Sequence, residues 1–333
     1  VLRFRGLSMA GRVRLLAYFM RAYPRRHDLD FFDLSVGQSD HEDVDAWSAS
    51  EALMGRDVTE WLLDPFIRTF HFHGARRLGM KYFDALAALF LAEGGFVPHG
   101  FRGFMEELPR ALAARLDVHT GAPVTRLETT GNGVVVDVEG RGQRYDAAVL
   151  AVPAPVAQRI FTNPDELQQA VLRASTYAPT ACVSFSVPLD VAQDFEGIWV
   201  PFSASALISE CTNDACKGAI HQGACVFTMG LHEEAWEEVR RVEDAALHAR
   251  VADEWCRLFP AYRGHLRPLN VQRWPEAMPV YGPGQIEMVK RFWQDGQGGG
   301  GTWFCGDWLG HPWVEGSVRC GEKVAARLDA AGR

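Results

Sequence analysis

The chain has 333 residues, 47% of them hydrophobic and 23% charged, and a formal net charge of -8. That length can bury a full core and fits two domains. The negative balance and the lack of any Lys/Arg block exclude an electrostatic footprint for nucleic acid. Seven cysteines lie scattered without C-x-x-C spacing, a pattern that offers no zinc site and fits a reducing cytosol, so no metal is expected. No run of about 18 apolar residues marks a membrane span, and no signal peptide is visible.

In chain order, Leu7 to Tyr23 reads as an arginine-bearing amphipathic helix that either packs on its own domain or lies on a membrane surface. Helix is also expected from Val58 to Phe70, after the stretch DVDAWSASEAL. His71 and His73 read as packing or surface residues rather than metal ligands, because no carboxylate lies near them in sequence. Beyond GGFVPHGFRG, Phe104, Leu108, Leu112 and Leu116 recur every four residues, the mark of an amphipathic helix starting just after Gly103. Val118 to Thr120, Val124 to Thr129 and Val134 to Val138 read as strands, with a hairpin turn at Gly131-Asn132-Gly133 and a second turn at Gly140 to Gln143. This antiparallel meander feeds DAAVLAVP, a short apolar run typical of a strand covered on both faces and closed by Pro153 and Pro155.

Residues from about 161 to 269 read as an α+β region. ACVSFSV and GACVFTMGL are its strands, and Glu243 to Leu258 is its long amphipathic helix. Glu233, Glu234, Glu237 and Glu238 are expected to form a solvated helix face. RWPEAMPVYGPG reads as turn-rich chain. At the C-terminal end, Thr302 to Cys305 suits a strand end, and Gly316 to Leu328 suits a helix with Val318, Gly321, Ala325 and Leu328 on its inner face. A strand, a glycine loop and a helix N-terminus together place free N–H groups and a positive dipole end at a crevice, which favours an anion.

The segment GDWLGHPWVEGSVRCGEKVAARL resembles the C-terminal FAD motif of the flavin amine oxidase superfamily, which includes protoporphyrinogen oxidases and phytoene-desaturase-like enzymes. Cys320 stands where that family usually has serine. GGFVPHGFRGFMEELPRALAARL, GAPVTRLE, DAAVLAVPAPVA and RWPEAMPVYGPG follow in the family's order. The resemblance implies an α/β fold: an FAD-binding, Rossmann-like domain of glutathione-reductase type formed by residues 94–160 and 270–333. It also implies an α+β substrate domain from residues 161–269, with residues 1–93 as its helical part. FAD is implied as a non-covalent cofactor, since no cysteine closely follows the Trp-Pro segment. Gly306 and Asp307 would meet its ribityl-pyrophosphate, and Val124 would touch the adenine end, with Pro153 also counted as cofactor-binding. Glu315, Gly316 and Ser317 would lie under the pyrimidine edge of the isoalloxazine, and Trp274 beside the flavin. Met278, Tyr281 and His311 are the implied substrate-pocket residues.

That family opens with a strand, a G-x-G-x-x-G turn and a helix, which this sequence lacks; Gly131-Asn132-Gly133, Gly140-Arg141-Gly142 and Gly282-Pro283-Gly284 do not fit the pattern. A first βαβ unit of at least about 30 residues is therefore expected to be missing, and the chain on its own is expected to hold FAD weakly. No lysine lies between Lys81 and Lys217, whereas simple amine oxidases of the superfamily often carry one near the flavin. The resemblance thus points to dehydrogenation of an apolar or conjugated small molecule, with oxygen or a quinone as electron acceptor. Amine oxidation and a non-catalytic prenyl- or lipid-binding escort role are its alternatives. A cytoplasmic protein in peripheral contact with the inner face of the membrane would fit such a substrate.

Overall fold

The computed structural model describes residues 6–36, 44–92, 105–192, 194–218, 220–310 and 312–332. Its helices are α1 (Met9–Ala22), α2 (Ala46–Met54), α3 (Arg56–Val58), α4 (Asp64–His71), α5 (Met80–Leu91), α6 (Glu107–Ala113), α7 (Ala154–Ile160), α8 (Glu166–Ala174), α9 (Trp236–Val239), α10 (Asp244–Leu258), α11 (Gln285–Asp295) and α12 (Trp313–Ala330). The strands are β1 (Val124–Thr130), β2 (Gly133–Val138), β3 (Arg141–Tyr145), β4 (Ala148–Leu150), β5 (Tyr177–Pro188), β6 (Gly197–Trp199), β7 (Ile208–Asn213), β8 (Ile220–His221), β9 (Ala224–Leu231), β10 (Arg267–Pro279) and β11 (Thr302–Phe304). None of the described helices is long and apolar enough to cross a membrane.

Packing divides the chain into two compact units: Val1–Arg21, Asp40–Phe83 and Thr176–Gln285 form the first, and Ala22–Ser39, Asp84–Ser175 and Ile286–Arg333 the second. The second unit keeps α7 and α8. Thr162 donates its backbone N–H and its hydroxyl to Leu127 O, tying the α7 exit to the meander, and Asp165 and Gln168 close a capping box at the start of α8.

The first unit is built on an antiparallel sheet of order β10-β5-β9-β7-β6, with β8 paired to β9. Period-two alternation sends Val183, Phe185 and Val187 of β5 and Phe227 and Met229 of β9 to one face. Leu247, Val251 and Trp255 of α10, spaced four apart, cover that face. The expected strands ACVSFSV and GACVFTMGL and the helix ending at Leu258 are all present. RWPEAMPVYGPG is a correction, because its first part extends β10 instead of forming a loop. Trp274 pairs with Thr180 and Met278 with Ala178, so the register slips between them; Pro275 falls in that irregular stretch, while Pro279 closes the strand opposite Tyr177.

Helix α1 has two apolar sides. Gly11, Leu15 and Tyr18 are buried, whereas Met9, Val13, Leu16 and Met20 are exposed. One of the glutamates after β9 also departs from expectation. Glu233 accepts from Gly74 N and pairs with Arg77, which leaves it only partly exposed, whereas Glu234, although it pairs with Arg68 at 2.9 Å, is exposed like Glu237 and Glu238. Deep in this unit Arg68 binds Asp64 at 2.7 Å, and His71, His73 and His232 are all buried. Among the described residues no group of three His, Cys, Asp or Glu side chains could hold a metal.

In the second unit β1, β2 and β3 form the expected meander, although Val118 to Thr120 is irregular chain rather than strand. β4 runs parallel to β11, pairing Thr302 with Ala148 and Phe304 with Leu150. Among the described residues β4 has no other neighbour, and Val149 is exposed. Helix α6 begins later than expected. Phe104 lies outside the described residues, while Leu112 and Leu116 are exposed and Leu108 is half-buried, so most of the anticipated apolar face is uncovered among the described residues.

Candidate functional site

The corner between β11 and α12 is assembled by packing from distant parts of the second unit. All three residues of β11 are buried, and Cys305 N continues the ladder by donating to Leu150 O at 3.0 Å. Gly306 follows, and a Cβ there would stand 2.7 Å from the indole nitrogen of Trp308. That close approach is why glycine is needed. The Trp308 indole N–H reaches back to Val152 O at 3.1 Å, which fixes the Gly306–Asp307 turn against the chain leaving β4. Asp307 opens a short 3-10 turn that ends at Gly310 in the left-handed region (φ 82°). Gly310 O accepts from Leu34 N at 3.0 Å.

Helix α12 then begins at Trp313, itself left-handed (φ 62°) and packed on Phe31 with ring centroids 4.9 Å apart. The first intrahelical bond runs from Gly316 N to Pro312 O at 3.1 Å, so the N–H groups before Gly316 form the open end of the helix. An 18-residue helix places its positive dipole end at this mouth. The inner face of α12 is Gly316, Cys320 and Val324, not Val318, Gly321, Ala325 and Leu328. The helical phase follows from Gly306 N, which donates to Cys320 Sγ at 3.5 Å, and from Lys323, which binds Asp33 at 2.8 Å. Val314 and Val318 consequently stand exposed.

Among the residues singled out from sequence, the structure brings Gly306, Asp307 and Gly316 to this corner. Pro153 adjoins it as the residue after Val152, and it caps α7 by accepting from Val156 N and Ala157 N. The Glu315 carboxylate is engaged with Arg319 at 2.7 Å and the Ser317 hydroxyl donates to Trp313 O, so these two residues can offer the site backbone rather than side chain. Val124 stands at the exposed start of β1, opposite Val138. Trp274, Met278 and Tyr281 belong to the first unit. There Trp274 is exposed and Tyr281 is buried, stacked on Tyr82 at 4.6 Å. His311 lies outside the described residues. Trp308 was not singled out from sequence, since nothing local signals its bond to a carbonyl 156 positions away.

A second feature, also missed, belongs to the first unit. The face of its sheet turned away from α10 carries Cys182, Ser184, Thr228 and Glu210. Glu210 pairs with Gly230, where a Cβ would come 2.9 Å from Glu210 Cγ; the glycine makes room for the acid chain. Burial pushes the Glu210 carboxyl up to about 7, against the opposing pull of Lys217. The sequence signal was a charged residue inside the alternating strand ISECTN.

Mycobacterium tuberculosis (strain ATCC 25618 / H37Rv) coproporphyrinogen III oxidase is 29% identical over 198 residues, which cover 59% of this chain and 43% of that enzyme. The chain therefore matches less than half the length of that curated relative. Among solved structures, a cofactor-binding redesign of putrescine oxidase shares the fold with a TM-score of 0.74 at 14% identity, covering 98% of this chain and 77% of that one. Cyclohexylamine oxidase from Brevibacterium oxydans IH-35A does so with a TM-score of 0.67, also at 14% identity, covering 96% and 75%. The family model for flavin containing amine oxidoreductases matches residues 3–329, and with nearly the whole length matched the chain belongs to that family.

Proposed function

We propose that this chain forms part of an FAD-dependent oxidoreductase that dehydrogenates a largely apolar or conjugated small molecule of the porphyrinogen or polyene class. The supporting observation is the β11–α12 corner, where a glycine held free of a Cβ by Trp308 is followed by an acid and then by an open helix end. These residues fit one side of the cofactor. Asp307 would accept from ribityl hydroxyls, the Gly306 backbone would admit the pyrophosphate, and the first turn of α12 would present N–H groups and its dipole to the flavin's pyrimidine edge. When bound, FAD supplies the two-electron acceptor for a substrate C–H bond. Binding is read as non-covalent: the first cysteine after the Trp-Pro segment is Cys305, whose thiol is turned to Cys320.

The fit is one-sided. β4 has a single partner among the described residues, while Val149, Val314, Val318, Leu112 and Leu116 are exposed in the same unit. A further βαβ unit beside β4, carrying the phosphate-binding glycine turn, would cover such a surface. Contact with an anionic lipid surface belongs to the same reading. The exposed Met9, Val13, Leu16 and Met20 of α1 lie among Arg12, Arg14 and Arg21, and no acidic residue precedes Asp28.

Oxidation of an amine is favoured by one observation, the Glu210 carboxyl on the face of the sheet turned away from α10, which suits a cationic ligand group. The test is to purify the protein as its gene encodes it, titrate FAD by quenching of flavin fluorescence, and follow bleaching by porphyrinogen, polyene and amine substrates in turn. Asp307→Ala is expected to weaken FAD binding by about tenfold, corresponding to one charge-assisted hydrogen bond. Refusal of FAD by the natural protein overturns the proposal, and bleaching by amines alone selects the second reading.

A further inference from the structure

Two thiols meet at the same corner, and their chemistry is independent of any bound cofactor. Cys305 is the residue after β11 and is partly exposed, whereas Cys320 is fully buried one turn beyond Gly316 on the inner face of α12. Gly306, the neighbour of Cys305, donates its N–H to Cys320 Sγ at 3.5 Å, and a Cβ at Gly321 would come within 4.0 Å of Cys305 Sγ. The two thiols lie close enough to interact through their sulfurs. That interaction holds the Cys305 thiol below its ordinary range, and with burial it drives that of Cys320 up. The remaining cysteines provide the contrast. Cys211 and Cys225 are sealed in the core of the first unit, burial raises the thiols of Cys182 and Cys256, and Cys216 is an exposed thiol donating to Asn213 O.

We propose that Cys305 and Cys320 are a thiol modification site, joined in a reversible disulfide when the protein meets a hydroperoxide. The Cys305 thiolate attacks the peroxide oxygen, forming an S–O bond as the O–O bond breaks, and the departing alkoxide or hydroxide takes a proton to leave as alcohol or water. Cys320 then attacks the Cys305 sulfur. The S–S bond forms, the S–O bond breaks, and hydroxide leaves with the Cys320 proton as water. In sum two thiols lose two electrons and two protons, and the hydroperoxide is reduced to an alcohol and water, or to two waters when it is hydrogen peroxide. The product ties the end of β11 to the first turns of α12 across the Gly306–Asp307 turn.

The sequence makes the product easy to isolate, because trypsin cleaves after Arg319 and separates the two cysteines. The full chain is treated with stoichiometric hydrogen peroxide, unfolded in an alkylating agent and weighed. The expected result is loss of two alkylatable thiols of the seven, full recovery with dithiothreitol, and a non-reduced digest in which the peptide Cys320–Lys323 is linked to the peptide Phe292–Arg319. Cys305 is expected to react at least about tenfold faster than exposed Cys216, as a thiol with a lowered pKa should at neutral pH. Cys320→Ser should leave Cys305 as a sulfenic acid that dimedone captures, and Cys305→Ser should lose both reactions. Persistence of all seven thiols, a cross-link between another pair, or disulfide formation in Cys320→Ser would overturn the proposal. If either variant fails to fold, the peptide map of the unaltered chain decides alone.

Discussion

Acid should unfold this protein early, and the cause is specific to the first unit. His71, His73 and His232 are fully or almost fully buried and held neutral there, whereas in the unfolded chain each titrates near 6.5. Burial, assisted by Arg77 and Arg68, lowers His73 to about 4; burial and Arg68 lower His232 to about 3; burial and His73 lower His71 well below its usual value. A base with a depressed folded pKa gives stability that is whole above 6.5 and is lost as pH falls towards the folded value. For His73 alone the full span is worth about 3 kcal/mol. Between pH 6 and 5 the unfolded state holds nearly three more protons than the folded one at these histidines. Glu210 works the other way by about one proton, since its raised pKa of about 7 favours the folded state as it protonates. The net of about two protons predicts a fall of about 3 kcal/mol per pH unit. Glu254, held down to about 2 chiefly by its hydrogen bond to Arg257, acts only at lower pH. Urea unfolding followed by tryptophan fluorescence at pH 7.5, 6, 5.5 and 5 measures the slope directly. His232→Gln should reduce it by about 1.4 kcal/mol per pH unit, the value of one proton. A stability that stays level from pH 6.5 to 5, or a slope unchanged in His232→Gln, would refute the reasoning.

Arg68→Met should cost about 3–5 kcal/mol, because it strands the buried Asp64 carboxylate now bound at 2.7 Å; the urea midpoint reads the loss. Glu210→Gln should stabilise the chain by up to about 3 kcal/mol at pH 8, where ionising the buried acid is costly, and by nothing measurable at pH 4.5. Trp308→Phe should lose about 1 kcal/mol with its hydrogen bond to Val152 O and loosen FAD binding, seen as a larger Kd in the fluorescence titration. Leu16→Glu on the outer side of α1 should abolish cosedimentation with vesicles containing phosphatidylserine without changing the far-ultraviolet circular dichroism; equal sedimentation of both forms would remove the lipid surface from the proposal.

Sequence and structure agree where local pattern and packing ask for the same thing. The meander was legible because the Gly131-Asn132-Gly133 turn and the valine run of β2 leave one register available. β5, β9 and α10 were legible because each alternates at the period of its own element. The pattern misled where a contact far along the chain decides. The rotation of α12 depends on a bond from Gly306 to Cys320 and on Lys323 meeting Asp33, neither of which has a periodic trace. Glu233 looks like a solvated acid until Arg77, far upstream in the chain, is placed beside it. At the candidate site Gly306 and Asp307 were readable as a strand-to-helix corner, but Trp308, which explains why the glycine must be there, was not.

The parallel pairing of β4 with β11 has a consequence for how the chain is made on the ribosome. Among the described residues, Val149 waits for Trp303, about 150 residues later, before its strand has a partner. At typical translation speeds that delay is roughly 8 to 30 s. Throughout it a nascent strand of apolar residues has an open hydrogen-bonding edge where β11 will pair, the condition in which chaperone capture and misassembly compete with folding. Shortening the chain before Thr302 would make that interval permanent, so a premature stop codon that removes β11 should yield insoluble product rather than a slightly smaller protein.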